Sequence, residues 1–342
     1  MPTFCRHNRL LQNCPICSRE QQVEMRPVLS PGVSRSSQPS ERGSSYSSAS
    51  SRTAARSTSR QSVSRSSGGL RVRRLAREAD DGYRSGLVPG LKSGAEAQRL
   101  AQELAFASAR LRMLATAPRG LYAQVADPGG DLEERTWLAF VIAYLGPLDG
   151  EQPFASIEHA RTSWSSGRPL DLEDATFGPR GADPASGGGA VVGARTVDAY
   201  RAWAARAGSQ GAAFTGEPAW TPQRRFTRIF ERLALPGFAR DQRFELLSAL
   251  GWLGVYELQA GALAFGGSDL VTTGAKRVLG IWDPMLLERR AADLAHACQL
   301  PLEALDVGLY NWERGSRATL GMGLESEPDL VALEAARSAL GL

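Results

Sequence analysis

The chain is first characterised by what it lacks. No stretch approaches the ~18 consecutive apolar residues of a membrane-spanning helix, and the N-terminus has no apolar signal region. We therefore expect a cytoplasmic protein with no membrane partner, and no feature of the sequence indicates an obligate protein partner. Only four cysteines occur in 342 residues, and three of them lie within the first 17. With no sign of an oxidising compartment, this distribution argues against disulfide bonds.

Charge is distributed unevenly along the chain. Residues 1–80 contain 14 arginines and only five acidic residues, whereas the whole protein has a net charge of +4, so the remainder is net negative. A basic arm on such a body favours a polyanion as partner. The arm lacks the interleaved apolar residues of a membrane-surface helix. We therefore expect the partner to be nucleic acid.

Residues 1–18 contain a pattern typical of a small metal site. The four candidate ligands have the spacing C-x-H-x6-C-x2-C and are Cys5, His7, Cys14 and Cys17. Thiolate and imidazole are the usual ligands of tetrahedral zinc, and four protein ligands leave no open position for catalysis. We expect one structural zinc ion in this segment. The alternative is an unstructured tail with reactive thiols.

Residues 19–68 have the composition of a disordered linker. Residues 30–67 contain 17 serines among Arg, Gly and Pro, a composition that cannot bury a core. Repeated Ser-Arg steps are suited to loose contacts with phosphate. A plain soluble linker explains the same composition, and the two interpretations are compatible.

Residues 69–342 have the composition of a globular domain. Apolar periodicity and cap residues predict helices over 93–115, 131–145, 196–210, 221–233, 240–253, 283–298 and 301–312. The glycine-rich run at 186–195 lacks the Lys-Ser/Thr of a phosphate-binding P-loop, so we expect a surface loop over 165–195. No segment has a convincing strand pattern, and the domain is therefore expected to be all-α.

The segment LALPGFARD, residues 233–241, makes a tight corner between two predicted helices. A Leu-Pro-Gly turn can direct successive backbone N–H groups outward and so bind a DNA phosphate. An ordinary corner between two helices is the alternative. Arginines flank the corner on both sides, at Arg224, Arg225, Arg228, Arg240 and Arg243.

This corner resembles the hairpin of the helix–hairpin–helix DNA glycosylase superfamily. The downstream segment GGSDLVTTGAKRVLGI resembles the segment of that superfamily in which a catalytic Asp precedes an Arg-Val helix. Longer stretches are similar to the alpha-glutamyl/putrescinyl thymine pyrophosphorylase family, which is linked to hypermodified phage DNA. They include RTWLAFVIAYLGPLDGEQPF, RRFTRIFERLALPGFARDQRFELL and LDVGLYNWERG, and the resemblance extends over residues 80–320. It implies a helix–hairpin–helix glycosylase-like fold for the domain at 69–342.

The resemblance also implies site residues. Asp269 matches the catalytic carboxylate, which stabilises the positive charge that builds on the sugar as the N-glycosidic bond breaks. Two further acids, Asp283 and Asp306, are rivals, although the first is typical of a helix cap and the second of a structural residue. The implied DNA-binding residues are Leu235, Pro236, Gly237, Phe238, Arg240, Lys276 and Arg277.

Two departures from the superfamily pattern carry consequences. The spacing from Leu235 to Asp269 is longer than in better-known relatives, so residues 254–267 must form an insertion or a different turn. Relatives that also nick the strand have a lysine just after the hairpin, and Asp241 occupies that position here. Only two lysines, Lys92 and Lys276, occur in the whole chain. We therefore expect base release by water without efficient strand cleavage.

A duplex hides its glycosidic bonds, so the resemblance implies that the target base is flipped into a pocket. Trp137 and Tyr144 are candidates for stacking on the base, and Gln210 is a candidate for pairing with its edge. The alternative for the two aromatic residues is an ordinary place in the hydrophobic core, which their helical periodicity favours.

Together these features predict a monofunctional DNA N-glycosylase. It would remove a hypermodified pyrimidine from double-stranded foreign or phage DNA and leave an abasic site, as an antiviral defence. One alternative is the reaction of the resembling family, transfer of an amine or amino acid to a pyrophosphorylated thymine. Another is a non-catalytic DNA-binding protein, which would be favoured if Asp269 lay far from any cavity.

Overall fold

Helices form all the regular secondary structure of residues 79–182, 190–323 and 327–342, the ranges that this computed structural model describes. No strand occurs in these ranges, which confirms the all-α prediction for them. None of their helices is long and apolar enough to cross a membrane. The predicted zinc ligands Cys5, His7, Cys14 and Cys17 and the predicted linker at 19–68 lie outside the described residues.

The helices are numbered here in chain order. They are α1 Gly94–Thr116, α2 Leu121–Ala126, α3 Leu132–Leu145, α4 Ala155–Ala160, α5 Ala190–Arg206, α6 Gln210–Thr215, α7 Pro222–Arg232, α8 Arg240–Trp252, α9 Leu270–Leu279, α10 Pro284–Ala297, α11 Leu302–Arg314 and α12 Leu330–Leu340.

Several helices begin at cap residues that the sequence predicts. The side chains of Asp131, Thr221 and Asp283 each accept a hydrogen bond from the backbone N–H three residues further on. Proline occupies the first position of α7 and of α10, where its missing N–H has no helical partner to lose. Ser93 lies at the N-cap position of α1 but makes no capping hydrogen bond.

The prediction of a surface loop over 165–195 is wrong for its last residues, because α5 begins at Ala190. Gly193, within its first turns, is buried, and a Cβ atom there would lie 2.2 Å from Leu172 Cδ1 and 3.2 Å from the Tyr144 hydroxyl. Close helix packing therefore accounts for this glycine, which the composition alone attributed to a loop. Residues 183–189 of the predicted loop are outside the described ranges.

An aromatic stack along α3 anchors the Leu-Pro-Gly corner. The rings of Phe140 and Tyr200 stack with their centroids 3.9 Å apart, and Phe238 of the corner lies 5.2 Å from Phe140. Trp137 and Tyr144, one helical turn before and after, stack on Phe140 as well. Because these rings are buried, Phe238 fixes the corner against the core of the domain.

The connection between α8 and α9 is irregular, as the long spacing before Asp269 predicts. Acidic side chains from later helices hold its backbone. The Glu288 carboxylate accepts the N–H groups of Leu263 and Phe265 at 2.9 and 2.8 Å, and Glu303 accepts that of Ala260 at 2.8 Å. These hydrogen bonds hold the connection that leads to Asp269, which lies at the start of α9.

Candidate functional site

A cavity of about 690 Å³, called here the corner cavity, opens between the Leu-Pro-Gly corner and the first residues of α8 and α9. It brings together Asp241 and Asp269, which are far apart in the sequence. Its walls are formed by Tyr144, Pro179, Arg180, Gly181, Ala182, Val192, Leu235, Gly237, Phe238, Ala239, Asp241, Gln242, Ser268, Asp269, Leu270 and Tyr310.

Gly237 allows the corner to turn tightly against α5. Its φ of +71° lies in the left-handed region, and a Cβ atom would lie 2.3 Å from Thr196 Oγ1. That same hydroxyl donates a hydrogen bond to the carbonyl of Pro236 at 2.8 Å. The N–H of Phe238 donates back to the carbonyl of Leu235 at 3.1 Å, so one of the N–H groups predicted to face outward is used inside the turn.

Gln242 ties the corner to the opposite wall of the cavity. Its Oε1 accepts the N–H of Ala239 at 2.7 Å, which caps the start of α8. Its Nε2 donates to the carbonyls of Arg180 and Gly181 at 3.0 and 2.8 Å. The Gln242 side chain therefore joins the corner to residues 180 and 181. It also accepts a second of the N–H groups that were predicted to face outward, that of Ala239.

Asp269 is the N-cap residue of α9 and has a carboxylate held at both oxygens. Oδ1 accepts the Thr272 N–H at 2.8 Å, and Oδ2 accepts the Thr272 hydroxyl at 2.7 Å. The same hydroxyl accepts the N–H of Gly266 at 3.1 Å. A helix N-terminus stabilises negative charge, so this arrangement presents a fixed anionic carboxylate at the wall of the cavity.

Asp241, in the first turn of α8, occupies a different environment. Its side chain is only 14% exposed, and Oδ1 accepts a hydrogen bond from Arg240 Nη1 at 3.1 Å. Burial raises the pKa of the Asp241 carboxyl above its ordinary value, while the positive charges of Arg180 and Arg240 oppose this effect. The cavity thus contains two carboxyl groups with unlike surroundings.

A buried charge cluster lies beneath the corner cavity. Asp306 of α11, fully buried, binds Arg180 Nη2 at 2.5 Å through Oδ2 and forms an ion pair with Arg240 through Oδ1. The Arg180 guanidinium also lies 4.9 Å from the ring centroid of Tyr310. Its Nε and Nη1 have no hydrogen-bond partner among the residues the structure describes. The cluster therefore retains unused donor capacity beside the cavity.

Arg240 is turned towards this cluster and away from solvent. Its guanidinium donates to the carbonyl of Leu263 and pairs with Asp306 and Asp241, and the side chain is 7% exposed. A phosphate contact through Arg240, as the resemblance implies, would require breaking these bonds. Pro236 and Gly237, by contrast, are exposed at the tip of the corner.

The three residues predicted to form a base pocket do not lie together. Tyr144 lines the corner cavity, but Trp137 lines a separate cavity of about 400 Å³ and donates its indole N–H to the Thr162 carbonyl at 2.6 Å. The two residues are seven positions apart on α3, which separates them by about 10 Å along the helix axis. Trp137 and Tyr144 are both buried in the core, as the alternative interpretation holds.

Gln210 is fully buried, and its side-chain amide is engaged on both sides. Its Oε1 accepts the Tyr200 hydroxyl at 2.7 Å, and its Nε2 donates to the Glu133 carbonyl at 2.8 Å. An amide bonded in this way has no free edge for a base, and Gln210 does not line the corner cavity.

The cationic residues that follow Asp269 do not line the corner cavity either. Arg277 pairs with Glu313 at 2.8 Å and lies over the ring of Trp312. Lys276 Nζ lies 5.7 Å from the ring centroid of Trp282, a largely exposed residue. Of this pair, Lys276 is the one whose charge has no carboxylate partner within the described ranges.

The arginines flanking the corner are mostly used within the protein. Arg225 donates to the carbonyls of Thr215 and Glu257, and Arg243 donates to that of Phe230. Arg228 is exposed but pairs with Glu231. The run of arginines in the sequence therefore contains few side chains free to meet a phosphate.

A basic cleft that the sequence analysis missed includes Arg232, the residue that directly precedes the corner in the sequence. It has a volume of about 390 Å³ and is lined by Trp203, Arg206, Ala207, Ala213 and Arg232. Arg206 ends α5 and Arg232 ends α7, both are exposed, and neither has a carboxylate partner in the part of the chain described. The one local signal is a basic residue in the last turn of each helix, which is common on helix surfaces and points to no ligand by itself.

Comparisons of the chain with protein families, curated proteins and solved structures found no match. Function is therefore inferred from the corner cavity, the basic cleft and the resemblance of the motifs that line them.

Proposed function

We propose that the protein is a DNA N-glycosylase that removes a modified pyrimidine from double-stranded DNA, such as that of a phage, and leaves an abasic site. One observation carries this proposal. Asp269 and the Leu-Pro-Gly corner are separated by about thirty residues of chain, yet they line the same cavity. The resemblance assigns the chemical step to Asp269 and the binding of the DNA backbone to the Leu-Pro-Gly corner.

The chemistry needs a stable negative charge next to the sugar. Positive charge builds on the sugar ring as the bond between C1′ and the base nitrogen lengthens. Asp269 supplies a carboxylate whose two oxygens are already held by Thr272. The carboxylate therefore needs little reorientation as positive charge builds on the sugar. The non-catalytic alternative loses its simplest support, because Asp269 lines a cavity.

The corner cavity has a suitable size for a nucleoside. Its volume of about 690 Å³ falls within the usual ~300–1,000 Å³ of small-molecule sites. Tyr144, Phe238 and Tyr310 lie at its wall, each at most 3% exposed, so a base in the cavity would meet their edges rather than an open ring face.

The basic cleft supports DNA as the partner. Arg232 directly precedes the corner in the sequence, and its guanidinium lies over the Trp220 ring. Together with Arg206 it places at one cleft two guanidinium groups that have no carboxylate partner among the described residues. Two neighbouring cations without carboxylate partners repel one another, and a phosphodiester backbone relieves that repulsion.

Base release from modified DNA tests the proposal directly. The wild-type protein and the Asp269→Asn variant are incubated with genomic DNA from phages that carry different modified pyrimidines, and with unmodified DNA. Mass spectrometry should detect a free modified base and an equal number of abasic sites with wild type alone. Because Asp241 stands where strand-nicking relatives have lysine, the DNA strands should stay intact.

Two results would contradict the proposal. Absence of free base from every modified DNA would remove the glycosylase activity. Replacement of the pyrophosphate of an activated thymine by a small amine, with pyrophosphate released and no base released, would favour the transfer reaction instead.

A further inference from the structure

We propose that Asp241 is a second catalytic residue, a general acid that protonates the departing base while Asp269 stabilises the sugar. This inference rests on the proposed glycosylase function. It assigns a chemical role to the position at which strand-nicking relatives have lysine, and it makes the corner cavity a site with two carboxyl groups.

The first support is position. Asp241 and Asp269 both line the corner cavity, and each stands at the beginning of a helix, α8 for Asp241 and α9 for Asp269. A nucleotide bound in the cavity therefore meets both groups.

The second support is the set of charges around Asp241. The positive charges of Arg180 and Arg240 oppose the effect of burial on the pKa of Asp241, while the negative charges of Asp306 and Asp269 reinforce it. Asp306 binds both arginines, so their positive charge is shared between two carboxyl groups. Tyr310, which also lines the cavity, is a further titratable group beside Asp241.

Hydrogen bonding distinguishes the two carboxyl groups that line the cavity. Both oxygens of Asp269 accept hydrogen bonds from Thr272 at a helix N-terminus. Asp241 accepts one such bond, from Arg240, and its other oxygen accepts none from the described residues. Burial also raises the pKa of Asp241. Two carboxyl groups with opposed environments are the usual arrangement for an acid and an anion that share one site.

The reaction balances with these two residues and water. As the C1′–N bond breaks, its electron pair moves into the base, and the Asp241 carboxyl gives its proton to a carbonyl oxygen of that base. Asp269 remains ionised and stabilises the positive sugar. Water then forms the new C1′–O bond and returns a proton to Asp241. The products are the free base and an abasic sugar, and both carboxyl groups regain their initial states.

A binding experiment tests this assignment even before the natural base is known. The probes are two duplexes, one with a cationic pyrrolidine in place of the target sugar and one with a neutral tetrahydrofuran. Wild type should prefer the pyrrolidine duplex because Asp269 is anionic. The preference should increase further as pH rises and Asp241 loses its proton, at pH values where the pyrrolidine stays charged.

Three variants separate the roles. Asp241→Asn should keep the preference but lose its increase with pH, whereas Asp241→Glu should retain that increase. Asp269→Asn should reduce the preference at every pH. If wild type and Asp241→Asn show the same pH dependence, Asp241 does not titrate next to the sugar, and the assignment fails while the glycosylase proposal survives. No preference by wild type for the cationic duplex would overturn both proposals.

On a phage DNA from which wild type releases a base, the rate adds a second readout. Asp241→Asn should slow single-turnover release by roughly 10²- to 10⁴-fold, the usual contribution of general acid catalysis, and remove its decline at high pH. Asp241→Glu should restore part of the rate and the pH dependence. If Asp241 were only a structural partner of Arg240, Asp241→Asn would change the stability of the protein without changing the shape of the pH profile.

Discussion

Asp306 binds Arg240 deep beneath the corner cavity, and a second arginine, Arg180, binds its other oxygen at 2.5 Å. All three side chains are buried. Removing one member of a buried ion pair leaves the remaining charge uncompensated, which costs about 3–5 kcal/mol. Asp306→Asn should therefore lower the free energy of unfolding by about this amount, measured by urea denaturation.

A matched control is Asp80→Asn, which removes a carboxylate from an exposed ion pair with Arg84. Exposed pairs contribute little, so this variant should unfold close to wild type. Equal unfolding midpoints for wild type and Asp306→Asn would mean that the buried cluster does not stabilise the domain.

Asp269→Asn should abolish base release while keeping DNA binding. The substitution keeps the size of the side chain and removes its charge, so transition-state stabilisation should fall by roughly 10²-fold or more. Binding should be preserved or become tighter, because a carboxylate near phosphates repels them. Single-turnover base release and equilibrium DNA binding measure the two effects separately.

Asp283→Asn is the control for this substitution. Asp283 caps α10 through a 2.8 Å hydrogen bond from the Leu286 N–H, much as Asp269 caps α9, but it does not line the corner cavity. It should lose a similar capping energy and keep base release. If Asp283→Asn were the inactive variant and Asp269→Asn were active, the catalytic assignment would move to Asp283.

Gly237→Val should weaken binding to modified and unmodified DNA alike. The residue has a φ of +71°, and a Cβ atom would lie 2.3 Å from Thr196 Oγ1, so the corner must shift. Gly254→Val is the comparison, since Gly254 has nearly the same φ, +70°, and a Cβ atom there would have no neighbour within 4 Å. DNA affinity and thermal unfolding of both variants distinguish loss of the corner from simple backbone strain. Equal affinities for the two variants would argue against a role of the corner in DNA binding.

The basic cleft should contribute to affinity without selecting the base. Arg206→Gln combined with Arg232→Gln should weaken binding to all duplexes and reduce the slope of log affinity against log salt by about 0.9 for each phosphate that is no longer neutralised. The matched control is Arg84→Gln with Arg112→Gln, which removes two charges already paired with Asp80 and Asp329. An unchanged salt slope in the cleft variant would exclude the cleft from the DNA path.

The N-terminal segment should bind about one zinc ion per chain, because Cys5, His7, Cys14 and Cys17 supply four soft ligands at a suitable spacing. Cys14→Ser with Cys17→Ser should remove the metal, as measured by elemental analysis of freshly purified protein. Circular dichroism should show that the helical domain stays folded. Absence of zinc from freshly purified wild-type protein would favour the alternative, an unstructured tail with reactive thiols.

Local sequence determines much of the helical framework. Thr221 with Pro222 and Asp283 with Pro284 predict the starts of α7 and α10, because a capping oxygen and a preset φ act within a few residues. The apolar run of α3 likewise predicts its burial. Asp269 is prominent in the sequence through its motif, whereas its role as the N-cap of α9 is known only from the structure.

Only the tertiary structure decides where the charged and polar side chains point. Arg240 follows the corner in the sequence as a phosphate contact would, but Asp306, sixty-six positions later, draws it into the interior. Asp241 meets Asp269, and Arg206 meets Arg232, through the packing of separate helices. Periodicity shows which face of a helix is apolar, whereas the partner of a charge depends on which distant element is packed against it.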